Sequence, residues 1–272
     1  MYKILAKETL NSAVELMEVE APYTARACEP GQFVIIRVDE DGERVPLTIA
    51  DYDREKNSVT IVYQVLGYST TKLSQLNVGD YIHDFVGPLG QPAPLHKMER
   101  VVGVAGGVGA APLYPQLKKL AEMGTKVDVI IGGRSAEFVL FADKFKEFCE
   151  NVFITTDDGS LGIKGFGTTV LQEQIDKGVK YDECIAIGPL IMMKNVVKVT
   201  KPYDLKTMVS LNPIMIDGTG MCGGCRVVVG GETKFACVDG PDFDGFEVDF
   251  DSAMVRQGLF KEEEHQCKIG RG

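Results

Sequence analysis

Between positions 100 and 200 the chain alternates between two hydrophobic periods, and this alternation limits its possible folds more than any other feature. Residues 101–105 form an unbroken apolar run suited to a strand buried on both faces. The residues that follow place Leu113, Leu117 and Leu120 on one face of a helix. The same pairing recurs: strand 126–131 with helix 138–148, strand 152–155 with helix 168–175, and strand 183–187 with helix 189–199. Such repetition predicts a doubly wound parallel sheet, with ligands held beyond the carboxyl ends of its strands.

The flanking regions have a different texture. Before position 98 the segments 13–21, 32–38, 57–66 and 80–86 are rich in Val, Ile, Tyr and Phe. Turn clusters such as Glu29-Pro30-Gly31 break them. Short strands at this spacing predict a small antiparallel barrel, with one short helix at 71–76. Past Ser210 the glycine-rich Asp217–Cys225 stretch is too loose for a helix, and 226–229 with 233–237 read as a hairpin around Gly230-Gly231. Residues 261–264 read as a solvated helix or tail. Three regions result: a β-barrel at 1–98, an α/β domain at 99–209 and a small third domain at 210–272.

Lys and Arg number 29 against 39 Asp and Glu, a net charge of −10. That balance argues against nucleic acid or an anionic membrane as partner. Lys3, Lys7 and Glu8 interrupt any apolar leader. The uncharged stretch 101–117 holds four glycines and two prolines, a poor membrane span. The expectation is a cytoplasmic protein whose seven cysteines are thiols or metal ligands rather than a disulfide framework.

Cys222-x2-Cys225-x11-Cys237 is the most specific motif. Glycines between the thiolates let the backbone turn N–H groups toward sulfur, as an anionic iron–sulfur cluster requires. The plant-type [2Fe–2S] spacing asks for a first ligand five residues before Cys222, where Asp217 stands. A carboxylate oxygen binds iron, so the predicted metal ligands are Asp217, Cys222, Cys225 and Cys237, with Cys267 as the substitute for Asp217. A zinc site is the alternative, and it would have to recruit Cys267 or His265. A second motif, Gly106-Gly107-Val108-Gly109-Ala110-Ala111-Pro112, joins the first strand to the first helix of the alternating region. There glycines bring backbone and helix N-terminus against a pyrophosphate. Asp157 and Asp158, after the strand 152–155, would accept hydrogen bonds from ribose hydroxyls and repel a 2′-phosphate, which favours NAD(H). Arg134 points the other way, toward NADP(H).

The order barrel, dinucleotide fold and iron–sulfur loop resembles the ferredoxin-reductase-like FAD/[2Fe–2S] electron-transfer subunits over nearly the whole chain. Val45-Pro46-Leu47-Thr48 is similar to that family's Arg-Pro-Leu/Tyr-Ser/Thr flavin motif, with Arg44 one place early. Val62-Tyr63-Gln64, Gly67, Ser69 and Thr70 match its second flavin segment, and Gly87-Pro88-Leu89-Gly90 the turn that closes the barrel. Gly107, Gly109, Ala110 and Pro112 match its nucleotide loop. Thr156-Asp157-Asp158-Gly159-Ser160 and Gly188-Pro189-Leu190-Ile191-Met192 match its later nucleotide-side loops. Ile187 stands where many such reductases carry a cysteine, so no catalytic side chain is assigned beyond the cofactors. The resemblance is strongest to the dihydroorotate dehydrogenase electron-transfer subunit and to the small subunit of NADH-dependent ferredoxin:NADP oxidoreductase, also described as sulfide dehydrogenase beta. Asp217 in place of a fourth cysteine, followed by Phe235-Ala236-Cys237-Val238-Asp239-Gly240-Pro241, favours the second.

What the resemblance implies is an oxidoreductase subunit that passes electrons among NAD(H), FAD and a [2Fe–2S] cluster. A larger flavoprotein or iron–sulfur subunit would receive them, in a heterodimer or higher assembly that bifurcates electrons and engages ferredoxin. Service to a dihydroorotate or sulfide dehydrogenase, a free-standing flavin reductase and a zinc-stabilised binding module are the rival expectations.

Overall fold

The computed structural model describes residues 1–260; positions 261–264, His265 and Cys267 lie outside them. The first region contains β1 (Tyr2–Asn11), β2 (Val14–Glu20), α1 (Pro22–Ala27), β3 (Phe33–Arg37), β4 (Val45–Asp53), β5 (Ser58–Gln64), α2 (Tyr68–Ser74), β6 (Tyr81–Ile82) and β7 (Asp84–Leu89). Its strands form one antiparallel sheet in the order β6-β1-β2-β5-β4-β3-β7. The two outermost strands are separated in the chain only by His83, so one continuous segment joins both ends of the sheet and curls it into a near-barrel. Alternate residues fill the interior, with Ile4, Met17, Val34, Ile36, Ile61 and Phe85 all buried.

The second region alternates as its hydrophobic periods predict. It runs β8 (Arg100–Gly106), α3 (Ala110–Glu122), β9 (Lys126–Gly133), α4 (Ala142–Lys146), β10 (Asn151–Thr156), β11 (Ile163–Lys164), α5 (Gly167–Asp176), β12 (Glu183–Ile187), α6 (Leu190–Thr200) and β13 (Thr207–Ser210). The sheet order is β11-β10-β9-β8-β12-β13, parallel throughout. Direction of growth reverses between β8 and β12, and that switch point sets where a ligand fits. Leu113, Leu117 and Leu120 of α3 are fully buried, each worth ~1.5–3 kcal/mol. They pack in one core with Val14, Leu16, Ala50 and Val62 on the outside of the barrel. The helix expected over 138–148 shortens to α4, because Phe141 sits at φ +62 and interrupts the helical path.

The third region supplies β14 (Arg226–Val229), β15 (Glu232–Phe235), β16 (Asp242–Asp244) and α7 (Phe250–Gln257). β14 and β15 form the expected hairpin, turning through Gly230 and Gly231, both at positive φ. β16 leaves this hairpin and pairs antiparallel with β13, extending the parallel sheet by one strand. Among the described residues no helix is long and apolar enough to cross a membrane.

Candidate functional site

A cleft of about 1050 Å³ opens at the switch point and is shared by all three regions. One wall is β4 and β5 of the barrel, with Pro46, Leu47, Thr48, Val62, Tyr63 and Gln64. The opposite wall is the loop after β8 (Gly107, Gly109, Pro112) and the loop after β12 (Gly188, Pro189, Met192). Asp157 and Arg134 also line it. Residues assigned separately to a flavin and to a nucleotide thus face one space.

The glycine loop is shaped by close approach. A side chain at Gly109 would strike the Ile187 carbonyl oxygen at 2.2 Å, so the start of α3 meets the end of β12 backbone to backbone. Gly107, at φ +56, has nothing within 4 Å of where a Cβ would stand. Its peptide is open to a ligand at the start of α3, an end with no side-chain cap. Bare backbone beside an uncapped helix terminus is a fitting seat for a pyrophosphate.

Five predicted residues do not reach the cleft wall. Ala110 is buried in the first turn of α3. Gly67 caps α2 together with Thr70, whose hydroxyl accepts from the Leu66 and Gly67 N–H groups at 3.0 and 3.1 Å. Ser69 donates to Glu43 at 2.7 Å. Asp158 turns back on its own loop, accepting from Ser160 N and Oγ at 2.9 and 2.7 Å. Its carboxyl is held below the usual range by those two bonds, the hydroxyl first. Of the acidic pair, then, Asp157 is the one at the cleft, and the Arg134 guanidinium lies over the Phe138 ring at 4.7 Å. Tyr63 directs its hydroxyl to Glu15 at 2.6 Å; burial, then that bond, raises its pKa.

Ser210, Asn212 and Met215 line the cleft without having been foreseen. A signal was present, because Asn212-Pro213 is a turn dipeptide directly after the last parallel strand, at the strand end where such sheets bind ligands.

The cysteine loop packs against the barrel. Gly218, at φ +76, sits so close to Ile35 and Leu89 that a Cβ would lie 2.4 Å from Ile35 Cδ1. Gln91 N donates to the Gly240 carbonyl at 2.7 Å, and Gln91 Nε2 to the Val238 carbonyl at 2.8 Å. Cys225 and Cys237 are buried with their sulfurs 3.2 Å apart, while Cys222 is exposed. Burial, then the Cys225 sulfur, pushes the Cys237 thiol up to about 12. Two buried sulfurs in contact are a donor pair of the kind that an iron–sulfur cluster uses. Asp217 accepts from Cys222 N at 2.6 Å and from Thr219 N and Oγ. The Cys222 side chain first, and then Thr219, hold its carboxyl far below the usual range. The donors therefore form two pairs, Asp217 with Cys222 and Cys225 with Cys237. Among the described residues no three His, Cys, Asp or Glu side chains converge on one metal ion. Arg44, one place early in the flavin motif, is not in the cleft wall; its guanidinium binds this loop.

Residues 212–249 match the iron–sulfur cluster binding domain of dihydroorotate dehydrogenase B. Over 90% of its length the chain is 45% identical to a dihydroorotate dehydrogenase B (NAD(+)) electron transfer subunit homolog of Thermotoga maritima, covering 86% of that protein. It is 35% identical over 89% of its length to the electron transfer subunit of Shouchella clausii, covering 94% of it. The chain belongs to the dihydroorotate dehydrogenase B electron-transfer subunit family. An uncharacterized Clostridium beijerinckii protein is 51% identical over 99% of this chain and 94% of its own. A chain in the structure of NADH-dependent reduced ferredoxin-NADP oxidoreductase superposes with a TM-score of 0.93 at 41% identity, covering 99% of this chain and 97% of that one. A cytochrome P450 reductase of Amycolatopsis, 21% identical with a TM-score of 0.62 over 74% of this chain and 65% of its own, shares the fold. As a member of this family the chain is a redox subunit with a flavin-reductase fold and an iron–sulfur region.

Proposed function

We propose that this subunit passes electrons from NADH through FAD and a [2Fe–2S] cluster to a larger flavoprotein subunit, as the small subunit of an NADH-dependent ferredoxin:NADP oxidoreductase that bifurcates electrons. The observation that carries the reading is the shared cleft, whose flavin wall and nucleotide wall face each other beside a cysteine loop packed on the barrel. A flavin takes a hydride from nicotinamide and releases electrons singly, and an iron–sulfur cluster accepts them one at a time. The protein's part is to hold these groups in line and exclude side reactions.

In this reading Pro46, Leu47, Thr48, Val62 and Gln64 would seat the isoalloxazine, with the Thr48 hydroxyl available as a hydrogen-bond partner. Gly107, Gly109 and the start of α3 take the pyrophosphate of NADH, and Gly188, Pro189 and Met192 flank its nicotinamide end. Asp157 accepts from the adenosine ribose and disfavours a 2′-phosphate. Asp217, Cys222, Cys225 and Cys237 ligate the iron. Asp217 separates this reading from service to a dihydroorotate dehydrogenase, where a fourth cysteine is expected. The partner supplies the second substrate site and the route to ferredoxin.

Anaerobic titration of the purified chain tests the reading. Flavin and iron–sulfur absorbance, bleached faster by NADH than by NADPH, is the expected result. A colourless, zinc-containing chain refutes it, and flavin without iron leaves only a flavin reductase. Faster bleaching by NADPH overturns the nucleotide assignment.

A further inference from the structure

We infer that Arg44 is a positioning residue that ties the flavin-bearing strand to the iron–sulfur loop and fixes where Asp217 stands. The inference rests on the reading of Asp217 as an iron ligand. Arg44 immediately precedes β4, whose Pro46, Leu47 and Thr48 form the cleft wall. A shift of one residue along an extended strand reverses the direction of a side chain. The guanidinium accordingly misses the cleft and lies against the third region. It donates from Nε to the Ile216 carbonyl at 3.0 Å and from Nη2 to the Asp217 carbonyl at 3.1 Å.

Two donors of one planar fork on two successive carbonyls set both the position and the tilt of the peptide between them. An ammonium group could supply either bond without fixing the tilt. The remaining restraints on this stretch are of other kinds. Among the described residues the Asp217 carboxylate bonds within its own loop, to Thr219 and Cys222. Gly218 contributes an apolar contact with Ile35 and Leu89. Ile216 and Met221, on either side, are exposed. Arg44 is thus the polar tie between the loop and the strand that carries the flavin motif. The residue that holds the backbone of a metal ligand acts on the metal as an outer-shell partner does, through ligand orientation.

The test uses the full cofactor-loaded chain as wild type, Arg44→Ala, Arg44→Lys and Asp217→Ala. Three quantities are read: FAD per chain, the rate of iron loss to a chelator, and the electron paramagnetic resonance spectrum of the reduced cluster. Arg44→Ala is expected to retain FAD, lose iron roughly ten-fold faster, and shift its spectrum in the same direction as Asp217→Ala. Arg44→Lys should fall between Arg44→Ala and wild type. Loss of FAD with an unchanged spectrum would assign Arg44 to the flavin and overturn the inference. An Arg44→Ala chain matching wild type beside an altered Asp217→Ala overturns the inference alone. An Asp217→Ala chain with a wild-type spectrum overturns the ligand reading beneath it.

Discussion

Replacing Gly109 by alanine should do more harm than the same change two residues earlier, for reasons the geometry makes quantitative. Gly109 has φ −58 and ψ −15, a conformation open to any residue. Its constraint is space: a Cβ would stand 2.2 Å from the Ile187 oxygen, 2.7 Å from its carbonyl carbon and 3.0 Å from Gly188 Cα. Non-bonded atoms rest near ~3.5 Å, so the ends of α3 and β12 would have to part by about 1 Å. All three obstructing atoms are backbone and cannot rotate away. Overfilling such a site costs ~1–3 kcal/mol, which in a chain of this size lowers Tm by roughly 2–6 °C. The displacement falls on the pyrophosphate loop, so NADH affinity should drop roughly ten-fold for each ~1.4 kcal/mol transferred to the site. FAD content should hold, because the β4–β5 wall is untouched. Gly107→Ala is the control. It meets no atom within 4 Å and suffers only a left-handed backbone, a cost of ~1–2 kcal/mol. Thermal melts and NADH titrations of both variants decide the matter. Gly109→Ala with wild-type Tm and wild-type NADH affinity would refute the steric argument.

Cys225→Ser should leave NADH bleaching of the flavin intact while electron delivery to the partner falls by roughly 100-fold; parallel loss of both at normal FAD content would mean that the path is not serial. The Asp242 carboxyl is buried although its residue keeps some exposure, and burial pushes it up to about 6 against hydrogen bonds from Ser210 and Gln116. Between about pH 4 and 6 the folded chain keeps a proton that the unfolded chain has released, so stability falls as pH rises through that window. Asp242→Asn stays neutral and still accepts from Gln116, so its Tm should match wild type near the bottom of the window and exceed it above the top; a pH-independent difference would contradict this. Arg100 binds the buried Asp128 through two nitrogens, with Asn151 and Tyr181 completing its shell. Arg100→Ala strands that carboxylate and should cost about 3 kcal/mol in urea unfolding; a loss below measurement error would refute the burial argument.

The alternating core of the second region is readable from periodicity because β8, β9 and β12 are buried on both faces and their helices carry complementary leucines. The contact of Cys225 with Cys237 follows from the hairpin that the spacing predicts, whereas the exposed Cys222 stands apart with Asp217. Short elements are less legible. β16 has three residues, and nothing in Asp242-Phe243-Asp244 announces a strand; pairing with β13 makes it one. The middle of the expected 138–148 helix survives as α4, but a left-handed Phe141 has no signature in composition. At the site, the walls of the cleft match motif positions, whereas Gly67 and Thr70 are taken up by capping α2. Arg44 reads as a displaced flavin arginine, since its actual partners lie 172 and 173 residues away.

The pairing of β16 with β13 also bears on how such a subunit can be taken apart. Where the parallel sheet would otherwise finish, Val209 and its neighbours would offer unpaired amide and carbonyl groups to any passing strand. The segment that follows the cysteine hairpin occupies those groups. Deleting the region after β13 would therefore bare that sheet margin and invite self-association, so the hairpin and the parallel sheet come apart only at the expense of a sticky edge.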